Sequence, residues 1–101
     1  MRLYWNHNIA YYDWIKQQIK NNDSVLDVGC GNGLLIDYLD NGNMDLTGID
    51  MSAPCIEYCK KTYVSDNSHF FQMDFLSIDS DIRYDVIIFV ASIHHMNMES
   101  A

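Results

Sequence analysis

The spacing of apolar residues changes repeatedly along this 101-residue chain, and the changes predict alternating helices and strands. Apolar side chains recur every three to four residues in two stretches and again after Ser52, which is the period of amphipathic helices. Short apolar runs lie between these stretches and predict strands. The predicted helices are 9–20, 32–40 and one starting at 53, and the predicted strands are 24–28, 45–49, 69–73 and 84–91. This alternation is typical of an α/β protein with a mostly parallel sheet and right-handed crossovers.

A glycine cluster follows the first predicted strand. Gly29, Gly31 and Gly33 are three of the five glycines in the chain. Glycine adopts positive φ freely and lets another molecule approach the backbone, so the cluster predicts a small-molecule loop in preference to an ordinary turn. Ligands of parallel sheets bind beyond the carboxyl ends of the strands. Asp50, Asp74 and residues 92–95 also follow predicted strands, and we expect them at the same rim.

Composition and charge narrow the possible partners. Hydrophobic residues make up 49% of the chain and charged residues 20%, which indicates one globular domain over residues 1–101. The net charge of −8 repels phosphate backbones and anionic lipids, so we expect neither nucleic acid nor a membrane as partner. The chain lacks the pattern of a signal peptide, and we expect a cytoplasmic location. The three cysteines have no paired spacing, so we expect free thiols and no metal site.

Two cofactor classes use a glycine turn after one strand and an acid after the next: dinucleotides and S-adenosylmethionine. Asp50 lies about 20 residues after Gly31, the distance expected of the acid that binds a dinucleotide ribose. A dinucleotide fingerprint starting at Gly29, however, needs glycine or alanine where this chain has Leu34. Asp27 would oppose a pyrophosphate and would attract a sulfonium and an ammonium. These residues favour S-adenosylmethionine and leave a dinucleotide-binding half-domain as the less favoured alternative.

Four segments in the same order resemble the class I S-adenosylmethionine-dependent methyltransferases. They are 25–33, 48–52, 72–75 and 84–96, so the resemblance covers about residues 11–96. It implies a Rossmann-like sheet in the family's strand order 3-2-1-4-5-7-6. This chain ends just after the fourth of those strands, and we expect a single cofactor-binding domain that is a fragment, truncated after the fourth strand.

The resemblance implies a role in cofactor binding for ten residues. Asp27 would lie near the ammonium, and Asp50 would bind both ribose hydroxyls. Asp74 and the Phe75 N–H would bind adenine. The ten implied residues are Asp27, Gly29, Cys30, Gly31, Asp50, Met51, Asp74, Phe75, Val90 and Ala91. Three structural alternatives stay open: Asp50 as a helix cap, Asp74 as a turn residue and Met51 as a core residue.

The implied chemistry is in-line methyl transfer from the sulfonium to an oxygen, nitrogen or carbon of a small molecule. Orientation and dehydration can supply much of the rate, so a dedicated acid or base is optional. His7, His94 and His95 are the candidate catalytic residues. The alternatives are packing histidines at 94 and 95 and a frayed terminus around His7. A non-catalytic S-adenosylmethionine-binding module is the alternative function.

The family's strand order also predicts an assembly. It leaves the strand 84–91 at an edge of the sheet, although its run of valine, isoleucine and phenylalanine is typical of a central strand. Natural edge strands are blunted by charge, proline or bulges, and this one has none of these after residue 85. We therefore expect a homodimer that pairs the two fourth strands.

Overall fold

The structure, a computed structural model, describes residues 2–6, 12–79 and 81–90, with the backbone alone described for 2–6 and for Val90. Eight elements follow one another along these residues. They are β1 (Arg2–Asn6), α1 (Tyr12–Gln18), β2 (Ser24–Val28), α2 (Leu34–Leu39), β3 (Asp45–Asp50), α3 (Ala53–Thr62), β4 (Ser68–Gln72) and β5 (Val86–Val90). A single 3₁₀ turn at Phe75–Ser77 lies between β4 and β5.

The described strands form one parallel sheet in the order β1-β5-β2-β3-β4. Four of them are the strands that the sequence predicts, and β4-β3-β2-β5 is the expected order 3-2-1-4. The fold is therefore a Rossmann-like parallel sheet with the strand order that the resemblance implies. β2 lies at the centre, so the loop that follows it emerges in the middle of the rim where ligands bind.

β1 was not predicted, and it changes one conclusion. It pairs with β5 along its whole length, from Arg2 opposite Val86 to Asn6 opposite Val90. The prediction that β5 is an edge strand is wrong, because the chain's own N-terminal residues satisfy that edge. The expected homodimer through β5 loses the exposed edge on which it rested.

The two faces of the sheet are covered differently. α1, α2 and α3 pack on one face, which we call the helix face, through a core that includes Ile15, Ile36 and Ile56. The connections β2-α2-β3 and β3-α3-β4 progress in one direction across the sheet, so right-handed crossovers place their helices on the same face. Alternation along each strand gives Val25 of β2 to this core and Leu26 to the other face.

The opposite face is covered by the connection from β4 to β5. That connection runs back across the sheet, and a right-handed crossover must then pass over the other face. Phe75, Ile78 and Tyr84 accordingly pack against the smaller core of this face, which is formed by Leu26, Ile49 and Ile87. The β4–β5 connection therefore lies on the face opposite the helix face, next to the rim.

The starts of the helices and strands are set by residues close to them in the sequence. α3 begins at Ala53 as predicted, because the Ser52 hydroxyl accepts a hydrogen bond from Cys55 N (3.4 Å) and Pro54 occupies the first turn. α2 begins later than predicted, at Leu34, because Gly33 has a φ of 80° and is not yet helical. Asp85 precedes β5 and connects it to the start of β2, since its Oδ2 accepts a hydrogen bond from Ser24 N (2.9 Å).

Candidate cofactor site

The carboxyl ends of β2, β3 and β4 meet around a cavity of about 290 Å³. This size is close to the lower end of ligand pockets, about 300–1,000 Å³. Its lining includes the loop glycine and both acids expected after the strands, so the structure brings these predicted residues together. The lining residues are Val28, Gly29, Ile49, Asp50, Met51, Met73, Asp74 and Phe75.

Sequence reasoning missed three lining residues, Val28, Ile49 and Met73. Each is the apolar residue just before a predicted site residue, so the strand pattern treated it as core. Val28 and Ile49 alternate with residues of the helix face and therefore point to the opposite face. The alternation of side chains along each strand is the sequence signal that could have identified these residues as cavity residues.

The glycine loop is fixed by backbone hydrogen bonds to β3. Gly29 N and Cys30 N both donate to Ile49 O, at 2.8 and 2.9 Å. Gly31 has a φ of 54°, and no atom of the described residues lies within 4 Å of the position that a Cβ would take there. The backbone at Gly31 is thus open to a neighbouring molecule, as the loop prediction requires.

Asp50 connects the loop to α3. Its Oδ2 accepts a hydrogen bond from Gly31 N (2.9 Å), and its Oδ1 accepts one from Ser52 N (2.8 Å). The cap of α3 is Ser52 itself, so Asp50 orders the residue that caps the helix instead of capping it directly. The carboxylate lines the cavity as well, and the structural and the ligand-facing interpretations of Asp50 are compatible.

Asp27 is the most unusual charge of the site. Its side chain is 0% exposed, and neither carboxylate oxygen has a hydrogen-bond partner among the described residues. Burial raises the pKa of Asp27 well above its ordinary value, and the charge of Asp50 raises it further. Asp27 does not line the cavity, because its position in β2 points to the helix face. A buried carboxylate without a partner fits a cationic group placed near the loop.

The residues after β4 have local roles besides their place in the cavity. Asp74 Oδ1 accepts a hydrogen bond from Leu76 N (3.2 Å) and caps the 3₁₀ turn, so its turn role is confirmed. The Phe75 ring packs edge-on against Phe89, with centroids 5.3 Å apart. Met51 is 70% exposed, so the core alternative for Met51 is wrong.

One argument against a dinucleotide does not hold in the structure. Leu34 is 56% exposed, so its bulk does not oppose close packing of the helix on the sheet. The close contact falls at Gly33, where a Cβ would lie 2.7 Å from Tyr63 Cε2. The charge argument stands, because no Lys or Arg is among the described residues that line the cavity. A pyrophosphate would meet two carboxylates there and no cation from those residues.

The remaining predicted residues give a partial picture. His7, Ala91, His94 and His95 lie outside the described residues, as do residues 92–93, and Val90 ends β5.

Cys30 and Cys59 are buried free thiols, and Cys55 is a partly buried one. The predicted free state of the cysteines is thus confirmed.

Three other observations limit the assignment of function. A larger cavity, about 440 Å³, lies under the β4–β5 connection, but its wall is mainly apolar and includes no residue of the glycine loop. Residues 2–6, 12–79 and 81–90 contain no group of three or more His, Cys, Asp or Glu arranged to hold a metal ion. None of the helices within these same residues has both the length and the apolar character needed to cross a bilayer.

Comparison with known proteins gives a consistent result. The profile of the methyltransferase domain family matches residues 25–101. The (S)-tetrahydroprotoberberine N-methyltransferase of Eschscholzia californica is 35% identical over 86 residues, covering 80% of this chain and 25% of that protein. The ubiquinone biosynthesis O-methyltransferase of Rickettsia akari is 35% identical over 75 residues, covering 71% of this chain and 30% of that protein.

A solved structure shares the fold. Coclaurine N-methyltransferase, bound to N-methylheliamine and S-adenosylhomocysteine, superimposes with a TM-score of 0.73 at 27% identity, covering 88% of this chain and 28% of that one. The chain spans 19% to 48% of the length of several curated relatives that it matches. The family match, the parallel sheet in the order 3-2-1-4 and the glycine loop after its central strand agree. This chain belongs to the class I S-adenosylmethionine-dependent methyltransferase family.

Proposed function

We propose that this chain is the cofactor-binding part of a cytoplasmic enzyme that methylates an oxygen, nitrogen or carbon of a small molecule. One observation carries the proposal: the cavity at the rim joins the glycine loop, through Gly29, to Asp50 and Asp74 and receives no basic side chain from the described residues. Such a site suits a ligand with hydroxyl and amine donors and without phosphate. S-adenosylmethionine has these properties and carries two cationic groups.

Residues at the ends of three strands would each hold a different part of the cofactor. Asp50 keeps acceptor capacity beyond its two backbone bonds, since a carboxylate offers about four lone-pair sites, and can bind ribose hydroxyls. Asp74 and the Phe75 backbone can bind the adenine edge, with Met51 exposed beside them. The open backbone at Gly31 would face the amino-acid part, and the carboxyl group of buried Asp27 would lie near the ammonium.

When bound, S-adenosylmethionine supplies an electrophilic methyl group on a sulfonium, which a nucleophilic atom of the acceptor displaces in line. The protein contributes orientation and exclusion of water, which together can be worth roughly 7–11 kcal/mol. His7, His94 and His95 stay the proposed proton acceptors, and Val90 and Ala91 the proposed lining of the reacting end. The relatives reported above include an N- and an O-methyltransferase, so the acceptor atom is left open.

Calorimetric titration with S-adenosylhomocysteine and with NADH tests the cofactor class. We expect binding of S-adenosylhomocysteine and none of NADH, because the pyrophosphate would face Asp50 and Asp74. Binding of NADH alone would contradict the proposal and favour a dinucleotide half-domain. If S-adenosylhomocysteine binds, transfer of a labelled methyl group to small-molecule acceptors separates an enzyme from a non-catalytic module.

Asp50→Ala should weaken S-adenosylhomocysteine binding by more than about 1.5 kcal/mol, because charge-assisted hydrogen bonds to the ribose are worth about that much. Calorimetry measures the change. Asp45→Ala is the matched control, since Asp45 begins the same strand at the far end, is exposed and contacts His69. An equal effect of the two substitutions, with both variants folded by circular dichroism, contradicts the ribose role of Asp50.

A further inference from the structure

α3 packs against the glycine loop on the helix face of the sheet. Cys59 lies in the middle of that helix and is 0% exposed. Its Sγ lies 3.3 Å from the carbonyl oxygen of Gly31, within reach of an S–H donor. The Cys30 Sγ is farther from the same oxygen, at 3.8 Å. Cys59 is therefore the better placed of the two thiols to donate.

Gly33 creates the room for this contact. A Cβ at Gly33 would lie 2.9 Å from Cys59 Sγ and 2.7 Å from the Tyr63 ring. The missing side chain lets α3 approach the loop closely enough for a thiol, which is short and apolar, to reach a backbone carbonyl. Gly33 and Cys59 thus form one packing unit although they lie far apart in the sequence.

Both polar groups of Gly31 are engaged by its neighbours. Its N–H donates to Asp50 Oδ2 at 2.9 Å, and its C=O accepts from Cys59. The orientation of residue 31 is fixed from two sides, and the Asp50 carboxylate is held by the same residue. Burial raises the pKa of the Cys59 thiol, which keeps the proton that the donor needs at neutral pH.

We propose that Cys59 is a positioning residue for the cofactor site: its thiol orients Gly31, and Gly31 in turn holds the Asp50 carboxylate toward the ribose. The inference rests on the proposed function. Cys59 is not among the described residues that line the cavity. Its effect on affinity must pass through Gly31 and Asp50, and this route distinguishes it from a residue that is needed for packing alone.

Calorimetry with S-adenosylhomocysteine on the full chain tests the proposal. Cys59→Ala should weaken affinity about three- to tenfold, the worth of one hydrogen bond. Cys59→Ser keeps a donor and should recover most of that loss, although it gains no apolar packing. Cys55→Ala is the matched control, because Cys55 lies one turn earlier on α3 and is partly exposed. It should leave affinity unchanged.

A double-mutant cycle separates positioning from packing. In an Asp50→Ala background, Cys59→Ala should change affinity less than about twofold, because the residue through which it acts is gone. Independent, additive losses would overturn the proposal, and so would equal affinities of wild type and Cys59→Ala. If wild type does not bind S-adenosylhomocysteine at all, the proposed function fails instead.

Nuclear magnetic resonance covers the case in which Cys59→Ala does not fold or the ligand does not bind. The ¹³C resonance of the Gly31 carbonyl is compared between wild type and Cys59→Ser. A hydroxyl is a stronger donor than a thiol, so the resonance should move downfield in the variant. An unchanged resonance overturns the contact on which the positioning role depends.

Discussion

Gly33→Ala is expected to destabilise the protein by about 2–5 kcal/mol, a large part of the roughly 5–15 kcal/mol that holds most domains folded. Two costs combine. A side chain at positive φ costs about 1–2 kcal/mol, and forcing a methyl group into a filled space costs about 1–3 kcal/mol. At Gly33 the φ is 80°, and the new methyl group would meet the Tyr63 ring at 2.7 Å and Cys59 Sγ at 2.9 Å.

Gly42→Ala is the matched control for this substitution. Gly42 has nearly the same φ, 84°, but within the described part of the chain no atom lies within 4 Å of the position that its Cβ would take. It therefore carries the backbone cost alone, about 1–2 kcal/mol. Urea unfolding of the three proteins measures the difference. If both variants lose the same stability, α3 does not pack against Gly33 as closely as described.

Asp27→Asn is expected to have opposite effects on stability and on ligand binding. In the unfolded chain Asp27 has an ordinary pKa of about 3.9. Burial without a partner raises its pKa in the folded protein, which therefore holds a proton that the unfolded chain has already released. The free energy of unfolding then falls as the pH rises from the unfolded pKa through the folded pKa.

The Asp27→Asn variant has no carboxyl group to titrate at this position. Its free energy of unfolding should therefore exceed that of wild type by a growing amount as the pH rises from the unfolded to the folded pKa of Asp27. Above that range the difference should stay constant. At high pH the advantage should exceed about 1 kcal/mol, because a buried polar group without a partner costs about 1–3 kcal/mol and a charged one more. Urea unfolding of both proteins from pH 4 upward measures it. A variant that is less stable than wild type at every pH would show that Asp27 has a favourable partner in the unliganded protein.

The same substitution should weaken S-adenosylhomocysteine binding about tenfold or more, the worth of a charge-assisted hydrogen bond or ion pair. 5′-Methylthioadenosine is the matched control ligand, because it keeps the adenosine part and lacks the amino-acid part. Its affinity should not change. Equal losses for the two ligands would mean that Asp27 acts on the whole loop and does not attract the ammonium.

Much of this site follows from local sequence. The strand Ser24–Val28, the glycines after it and the start of α3 at Ala53 were predictable because each depends on a few neighbouring residues. The meeting of Asp50 and Asp74 at one rim was predictable too, since parallel strands end at the same edge. Hydrophobic periodicity, turn residues and helix caps depend on residues that are close in the sequence. One amino-acid sequence is therefore enough to predict them.

The tertiary structure decided what depends on distant partners. β1 escaped prediction because five residues carry little periodicity, and its pairing with β5 is what makes it a strand. Leu34 proved exposed while Gly33 took the close contact, because the approach of α3 decides which position is crowded. Nothing local to Cys59 predicts its bond to Gly31, since that contact joins residues 28 positions apart through packing of a helix beneath a loop.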